Sequence, residues 1–180
     1  MDILELIDKP AKVLMYQATY LRVLIDNLIF QIDFIDKCEF KLRKETVGQI
    51  RLFETHPLLI DYNERFVTTY INSKTATPEQ VALEIKEAIT SITLSWRSWT
   101  DYVTDKKINF TIENFLRNLA CGTGRLLVAP PSITKAVVSV CDTHNIATKT
   151  FDNDPKPALY KLMTIANNYV IAKEFRLRQL

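Results

Sequence analysis

Val13-Leu14-Met15-Tyr16-Gln17-Ala18-Thr19-Tyr20-Leu21-Arg22-Val23-Leu24-Ile25 runs on through Asp26-Asn27-Leu28-Ile29-Phe30-Gln31-Ile32-Asp33-Phe34-Ile35, and its reading decides the fold. Pro10 stands where a helix can begin, and Val13, Leu14, Leu21, Leu24, Ile25, Leu28, Ile32 and Ile35 then recur at helical spacing. Tyr16, Tyr20, Phe30 and Phe34 widen that stripe beyond one packing face. Such a helix packs against several neighbours or against another chain. Its most apolar part, Val13 to Leu21, is far short of the ~20 apolar residues that cross a bilayer, so no membrane partner is expected.

The rest of the composition supports the same reading. The chain has 180 residues and 20.8 kDa, the size of one domain or two small ones. Hydrophobic residues at 47% and charged residues at 24% allow a real core and exclude wholesale disorder. Lys and Arg number 23 against 21 Asp and Glu, and a net charge of +2 is too balanced for charge-driven binding to nucleic acid or membrane. Gly48, Gly122 and Gly124 are the only glycines, which disfavours a turn-dense β fold. The acidic start Met1-Asp2-Ile3-Leu4-Glu5 argues against a secretory signal. Cys38, Cys121 and Cys141 are odd in number and widely spaced, and neither His56 nor His144 has a Cys or His at ligand spacing. Reduced thiols, an intracellular, cytoplasmic location and no metal site are therefore expected.

Further helices are predicted along the chain. Val47, Ile50, Leu52 and Phe53 continue an apolar face to Pro57, and Leu59, Tyr62, Phe66 and Tyr70 share another. Residues 72–76 read as a linker. Thr77-Pro78-Glu79-Gln80 is a helix start with a capping hydroxyl, proline at the first position and a glutamine three residues on to complete a capping box, opening a stripe of Val81, Ile85, Ile89, Ile92, Trp96, Trp99 and Val103. Thr111 caps a helix carrying Ile112, Phe115, Leu116 and Leu119, which Gly122 ends. Pro130-Pro131 interrupts, Ser132 restarts a helix to about His144, and Ala147–Phe151 is the best strand candidate. Asp154-Pro155 opens a last helix with Leu159, Leu162, Met163, Ala166, Tyr169, Val170 and Phe175 as its stripe. The predicted fold is an all-α, multi-helix bundle of two units, 1–72 and 77–180, packed as one body.

Asn118-Leu119-Ala120-Cys121-Gly122-Thr123-Gly124 suggests a second architecture. With Thr77-Pro78-Glu79-Gln80-Val81-Ala82 and Phe151-Asp152-Asn153-Asp154-Pro155, it resembles the SAM-binding half of adenine-N6 DNA methyltransferases over about residues 75–170. The resemblance implies a helical N-terminal unit joined to a partial α/β, Rossmann-like C-terminal unit. It also implies an S-adenosylmethionine site at Cys121, Gly122, Gly124, Asp152 and Asp154, in which the glycines leave room for the cofactor and an acidic residue takes its ribose hydroxyls. No Asn/Asp-Pro-Pro-aromatic motif occurs, so a catalytically complete methyltransferase on this chain is excluded.

Two other features bear on function. Arg51 and His56 fit the R-x4-6-H spacing of HEPN-type ribonucleases, which implies phosphate binding and acid–base cleavage of RNA. Lys106, Lys107, Arg117 and Arg125 are the candidate nucleic-acid contacts, if they converge on one face. Trp96 and Trp99 with Arg97 mix aromatics and a base, but their helical spacing assigns them to the core. The first functional reading is a non-enzymatic helical subunit, without a cofactor, docking onto partner protein or a second copy, within a nucleic-acid-handling assembly. A SAM-binding half completed by another chain and a HEPN-like ribonuclease are the alternatives.

Overall fold

The computed structural model describes residues 3–152 and 159–180. In chain order the strands are β1 (Pro10–Tyr16), β2 (Tyr20–Ile25), β3 (Leu28–Ile35), β4 (Glu39–Lys41), β5 (Val47–Phe53), β6 (Val67–Ile71), β7 (Gly124–Ala129), β8 (Thr148–Asp152), β9 (Lys161–Ile165), β10 (Asn168–Ala172) and β11 (Glu174–Gln179). The helices are α1 (Ile60–Asn63), α2 (Pro78–Thr93), α3 (Thr100–Val103), α4 (Ile112–Cys121) and α5 (Pro131–Thr143). Strand outweighs helix, 38% against 33%, which overturns the expected all-α bundle. No helix among the described residues is long and apolar enough to cross a membrane.

The stretch from 13 to 35 is not a helix but the antiparallel meander β1–β2–β3. Its apolar residues satisfy helical spacing, yet they also alternate: Leu21, Val23 and Ile25 point to the core, and so do Phe30, Ile32 and Phe34. Period two wins because Asp26 and Asn27 turn the chain between them, with φ 51° and 63°. Two left-handed central residues are what a two-residue hairpin with strand-matching twist requires. The same chemistry answers the scarcity of glycine. Asp8, Asp36, Asn109 and Asn145 also take left-handed backbone, because short polar side chains bond locally and tolerate it.

The chain divides into two units, Met1–Leu59 with Ala158–Leu180, and Ile60–Pro157. The first holds an eight-stranded antiparallel sheet in the order β11-β3-β2-β1-β5-β9-β10-β4. Its two ends are one continuous ladder. β3 and β4 follow each other along the chain, β10 and β11 do likewise, and pairing runs from Ile35↔Glu174 to Glu39↔Ile171. Hydrogen bonds from Lys173 N to Ile35 O (3.1 Å) and from Cys38 N to Ile171 O (3.0 Å) bridge the bend. One extra residue on the β3–β4 side, with Asp36 at φ 48°, makes that bend a bulge. The sheet therefore closes on itself as a small barrel. Val13, Leu21, Ile32, Ile50, Met163 and Val170 fill it, each wholly or almost wholly buried. Burial of each such aliphatic side chain contributes about 1.5–3 kcal/mol. The helices expected within 1–72 and after Asp154 are thus mostly strands of this barrel; Asp154 itself lies outside the described residues.

The second unit is an antiparallel sheet in the order β7-β6-β8, with helices on one face. Along β6, Val67, Thr69 and Ile71 are buried while Thr68 and Tyr70 are not. Their buried face joins Ile85 and Ile89 of α2, Phe115 and Leu119 of α4, and Val137 and Cys141 of α5 in one core. Here the helix starts are where local signals put them: α2 begins at Pro78, Thr111 and Asn114 form a capping box on α4, and α5 restarts beside Pro130-Pro131. The expected cap at Thr77 is not made, its hydroxyl lying 3.5 Å from that of Thr75 instead. However, α2 stops at Thr93, because Leu94 and Ser95 turn left-handed. Trp96 and Trp99 therefore leave its stripe: Trp99 packs edge-on to Phe115 at 6.0 Å, while Trp96 is 45% exposed. Asp61 ties the region together, accepting from Tyr102 OH at 2.8 Å and pairing with Arg97 Nε at 3.1 Å. Burial holds its carboxyl above the usual range in spite of both partners.

The turn chemistry is directly testable. Replacing Asn27 by Val puts a β-branched side chain at φ 63° and is expected to cost ~1–2 kcal/mol, whereas Asn27→Gly costs nothing. Urea unfolding of the two variants distinguishes a left-handed hairpin turn from a turn that tolerates any residue.

Candidate functional site

Gly122 and Gly124 sit between a helix and a strand. α4 ends at Cys121, Gly122 caps it at φ 74° with its N–H on Asn118 O (2.8 Å), and Gly124 at φ 108° opens β7. This is helix, glycines, strand, the reverse of the strand, glycines, helix order that the SAM resemblance implies. Each glycine also has a packing reason. A Cβ on Gly122 would lie 2.2 Å from Lys74 N, and one on Gly124 would lie 2.5 Å from the Asn118 side chain. That side chain is held by donating from Nδ2 to Arg125 O at 2.9 Å. Thr75 N in turn donates to Leu119 O at 3.1 Å, so the 72–76 linker lies against the end of α4.

The remaining candidates are dispersed. Asp152 is on β8 and pairs with Arg65 at 2.9 Å, and β6 separates it from Gly124 on β7. Cys121 is exposed. Cys141 is buried, and burial pushes its thiol up to about 12, which makes it inert as a nucleophile. Lys106 and Lys107 are exposed on a short 3-10 turn, and Arg117 is exposed on α4. Arg125 is committed elsewhere: it pairs with Asp105 at 3.3 Å and lies 4.4 Å from the Phe110 ring centroid. Arg51 projects from β5, not from a helix, and bonds to Gln49. His56 follows that strand and accepts from Leu58 N through Nδ1 at 3.1 Å, so it caps the turn at 57–59. Among the described residues no group of three or more His, Cys, Asp or Glu could hold a metal ion.

A constellation with room for a ligand lies on the face of the second sheet that carries Tyr70 and Phe151. An open depression of about 530 Å³ is lined by Thr68, Tyr70, Asn72, Thr123, Lys149 and Phe151, with Ile71 and Gly124 at its edge. Cross-strand register builds it. Thr68 stands opposite Phe151 and Tyr70 opposite Lys149, so the two aromatics sit diagonally on neighbouring strands and share a face. Tyr70 is 40% exposed and Phe151 46%, with ring centroids 5.8 Å apart at 84°. Lys149 Nζ lies 4.8 Å from the Phe151 ring centroid. At the rim, the Asn72 amide and the Thr123 hydroxyl make no side-chain hydrogen bond among the described residues. The helices bury the other face of this sheet, which leaves the aromatic face with exposed apolar area and unspent polar groups. The sequence signal for it was weak: Tyr70 reads as part of a helix face, and Phe151 only as the end of the strand candidate Ala147–Phe151 and the neighbour of Asp152.

No protein-family model, curated protein or solved structure matches the chain.

Two outcomes follow from this geometry. Gly122→Val, strained at φ 74° and clashing with the Lys74 backbone, is expected to destabilise the fold by more than ~2 kcal/mol. Asp152→Ala, which loses one exposed ion pair, is expected to cost ~0–1 kcal/mol; urea denaturation measures both. His56 is a pH-sensitive group: desolvation lowers its pKa below the ordinary value, and its Nδ1 must be unprotonated to accept from Leu58. Its contribution is therefore complete above the unfolded pKa near 6.5 and is lost as pH falls toward the folded value. Denaturation midpoints should fall over that window in the wild type, and His56→Asn should flatten the fall.

Proposed function

We propose that the chain is a non-catalytic binding subunit whose second unit takes unpaired nucleobases of a single-stranded nucleic acid on the open face of the β7-β6-β8 sheet. The observation that carries this reading is the pair Tyr70 and Phe151, exposed on one sheet face with Lys149 of β8 opposite Tyr70. Every base has a π-face, so exposed aromatics on a sheet accept stacked bases whatever the sequence. Lys149 supplies a cation for the phosphate that links them. The Asn72 amide and the Thr123 hydroxyl offer a donor and acceptors at the edge of a bound ring. A net charge of +2 accords with a site that draws its affinity from stacking more than from phosphate contacts.

The depression also borders Thr123 and Gly124, the stretch that resembles a SAM-binding loop, and S-adenosylmethionine carries an adenine of its own. Nucleic acid is preferred because the aromatics lie on an open sheet that can continue along a strand, whereas the glycines are packed against protein atoms.

Fluorescence anisotropy with an unstructured labelled oligonucleotide tests the proposal. Saturable binding at low salt is expected, and Tyr70→Ala and Phe151→Ala should each weaken it about five- to 160-fold, which corresponds to ~1–3 kcal/mol per stacked base. Lys149→Gln should reduce the slope of log affinity against log salt by about 0.7, the share of one single-strand phosphate contact. No binding to the wild type, or binding that ignores both aromatic substitutions, overturns the proposal. So does saturable calorimetric binding of S-adenosylmethionine by a protein that ignores the oligonucleotide.

A further inference from the structure

β8 is an edge strand, and its neighbour across the sheet is not a comparable one. On the opposite edge, Leu126, Leu127 and Ala129 of β7 are wholly buried. On β8, Lys149, Thr150, Phe151 and Asp152 are all exposed and Thr148 is half-buried. The strand carries β-branched and aromatic residues and, among the described residues, pairs only with β6. Unpaired edges of this kind are templates for another strand.

Hydrogen-bond phase shows which backbone groups the edge offers. Asn72 N donates to Ala147 O at 2.8 Å, continuing the β6·β8 register by one pair. In an antiparallel ladder, hydrogen-bonded and non-bonded pairs alternate. Residues 147, 149 and 151 therefore turn their backbone groups toward β6, and Thr148, Thr150 and Asp152 turn theirs outward.

We infer that β8 pairs antiparallel with β8 of a second copy of this chain about a two-fold axis at Thr150, joining two three-stranded sheets into one. The register is self-complementary. Thr150 meets Thr150 of the second copy, and Thr148 meets Asp152, so every outward-facing residue finds an outward-facing partner. No other symmetric register matches all of them. The side chains agree with it. Lys149 falls opposite Phe151 of the second copy on the open face, a cross-strand cation–π pair like the one it already makes within its own strand. Thr148 falls opposite Asp152, a neutral donor against a carboxylate, and no like charges oppose each other. Thr150 keeps its own contact, Oγ1 to Oγ1 of Thr69 at 3.2 Å, through this pairing. The union would set two Tyr70–Phe151 faces side by side.

Sedimentation velocity of the full chain at rising concentration is the first test, and a dimer is expected. Thr150→Pro removes an N–H that points outward and not toward β6, so it should yield a monomer with unchanged circular dichroism. Thr150→Lys, which sets like charges across the axis, should do the same. The register is read separately by Thr150→Cys in a Cys38→Ser, Cys121→Ser background: mild oxidation should cross-link two chains, because bonded antiparallel pairs lie about 5.5 Å apart at Cα, within disulfide reach. Thr148→Cys in the same background should not cross-link. A wild type that stays monomeric, a dimer that survives both Thr150 substitutions, or equal cross-linking at 148 and 150 overturns the inference. Oligonucleotide binding is read independently, since monomeric Thr150→Pro retains Tyr70 and Phe151.

Discussion

Closure of the first sheet is the constraint on which the rest depends. β1, β2 and β3 make a meander by local turns, but the barrel is complete only when β9, β10 and β11 return after the whole second unit. The seam is specific. Phe53 at the end of β5 pairs with Leu162 near the start of β9, so the chain leaves and re-enters the barrel at adjacent points. An insertion is tolerated there because closing a loop costs entropy only as the logarithm of its length, ~0.6 kcal/mol for each doubling. A compact insert whose own ends are close lowers that cost further. At the other seam, the Asp36 bulge lets one bent ladder serve both ends of the sheet.

The legible parts of the fold are the ones that local chemistry decides. Pro78, the Thr111 cap, Gly122 and Pro130-Pro131 mark helix ends whatever the tertiary context, and the structure uses them as such, whereas the capping box read at Thr77 and Gln80 is not formed. The barrel was illegible for two linked reasons. In a run as apolar as Val13–Ile35, periods of 3.6 and 2 both find matches, so only the turns can arbitrate. Those turns are built from Asp26, Asn27 and Asp36, and near Gly48 the β9–β10 turn uses Ala166 at φ 50°. Counting glycines missed every one of them. The surplus of apolar residues that pointed to another chain is absorbed inside the barrel, where Leu21, Val23 and Ile32 are fully buried.

The candidate site was less legible than the fold, because topology makes it. Tyr70 and Phe151 are far apart in sequence and become neighbours only when β6 lies between β7 and β8. Short motifs carry little of this information: Gly122 and Gly124 read as a cofactor cradle, and in the structure their missing side chains make room for Lys74 and Asn118 of the protein itself. Likewise Arg51 and His56 have a suggestive spacing, but a strand and a turn separate their roles.

Residue type alone does not show which charges are already engaged. Arg125 has the type expected of a phosphate contact, but Asp105 and Phe110 occupy its guanidinium, and freeing it would leave a mostly buried charge unpaired. Lys149 is less conspicuous in the sequence, yet it stands exposed against an exposed ring, where its charge can be shared with an incoming anion without breaking an ion pair. Tyr70 and Phe151 share that exposed face, held in register by the strands beneath them. Thr69, between Thr68 and Tyr70, is fully buried and bonded across to Thr150, so the backbone that presents both aromatics is anchored in the core on its opposite face.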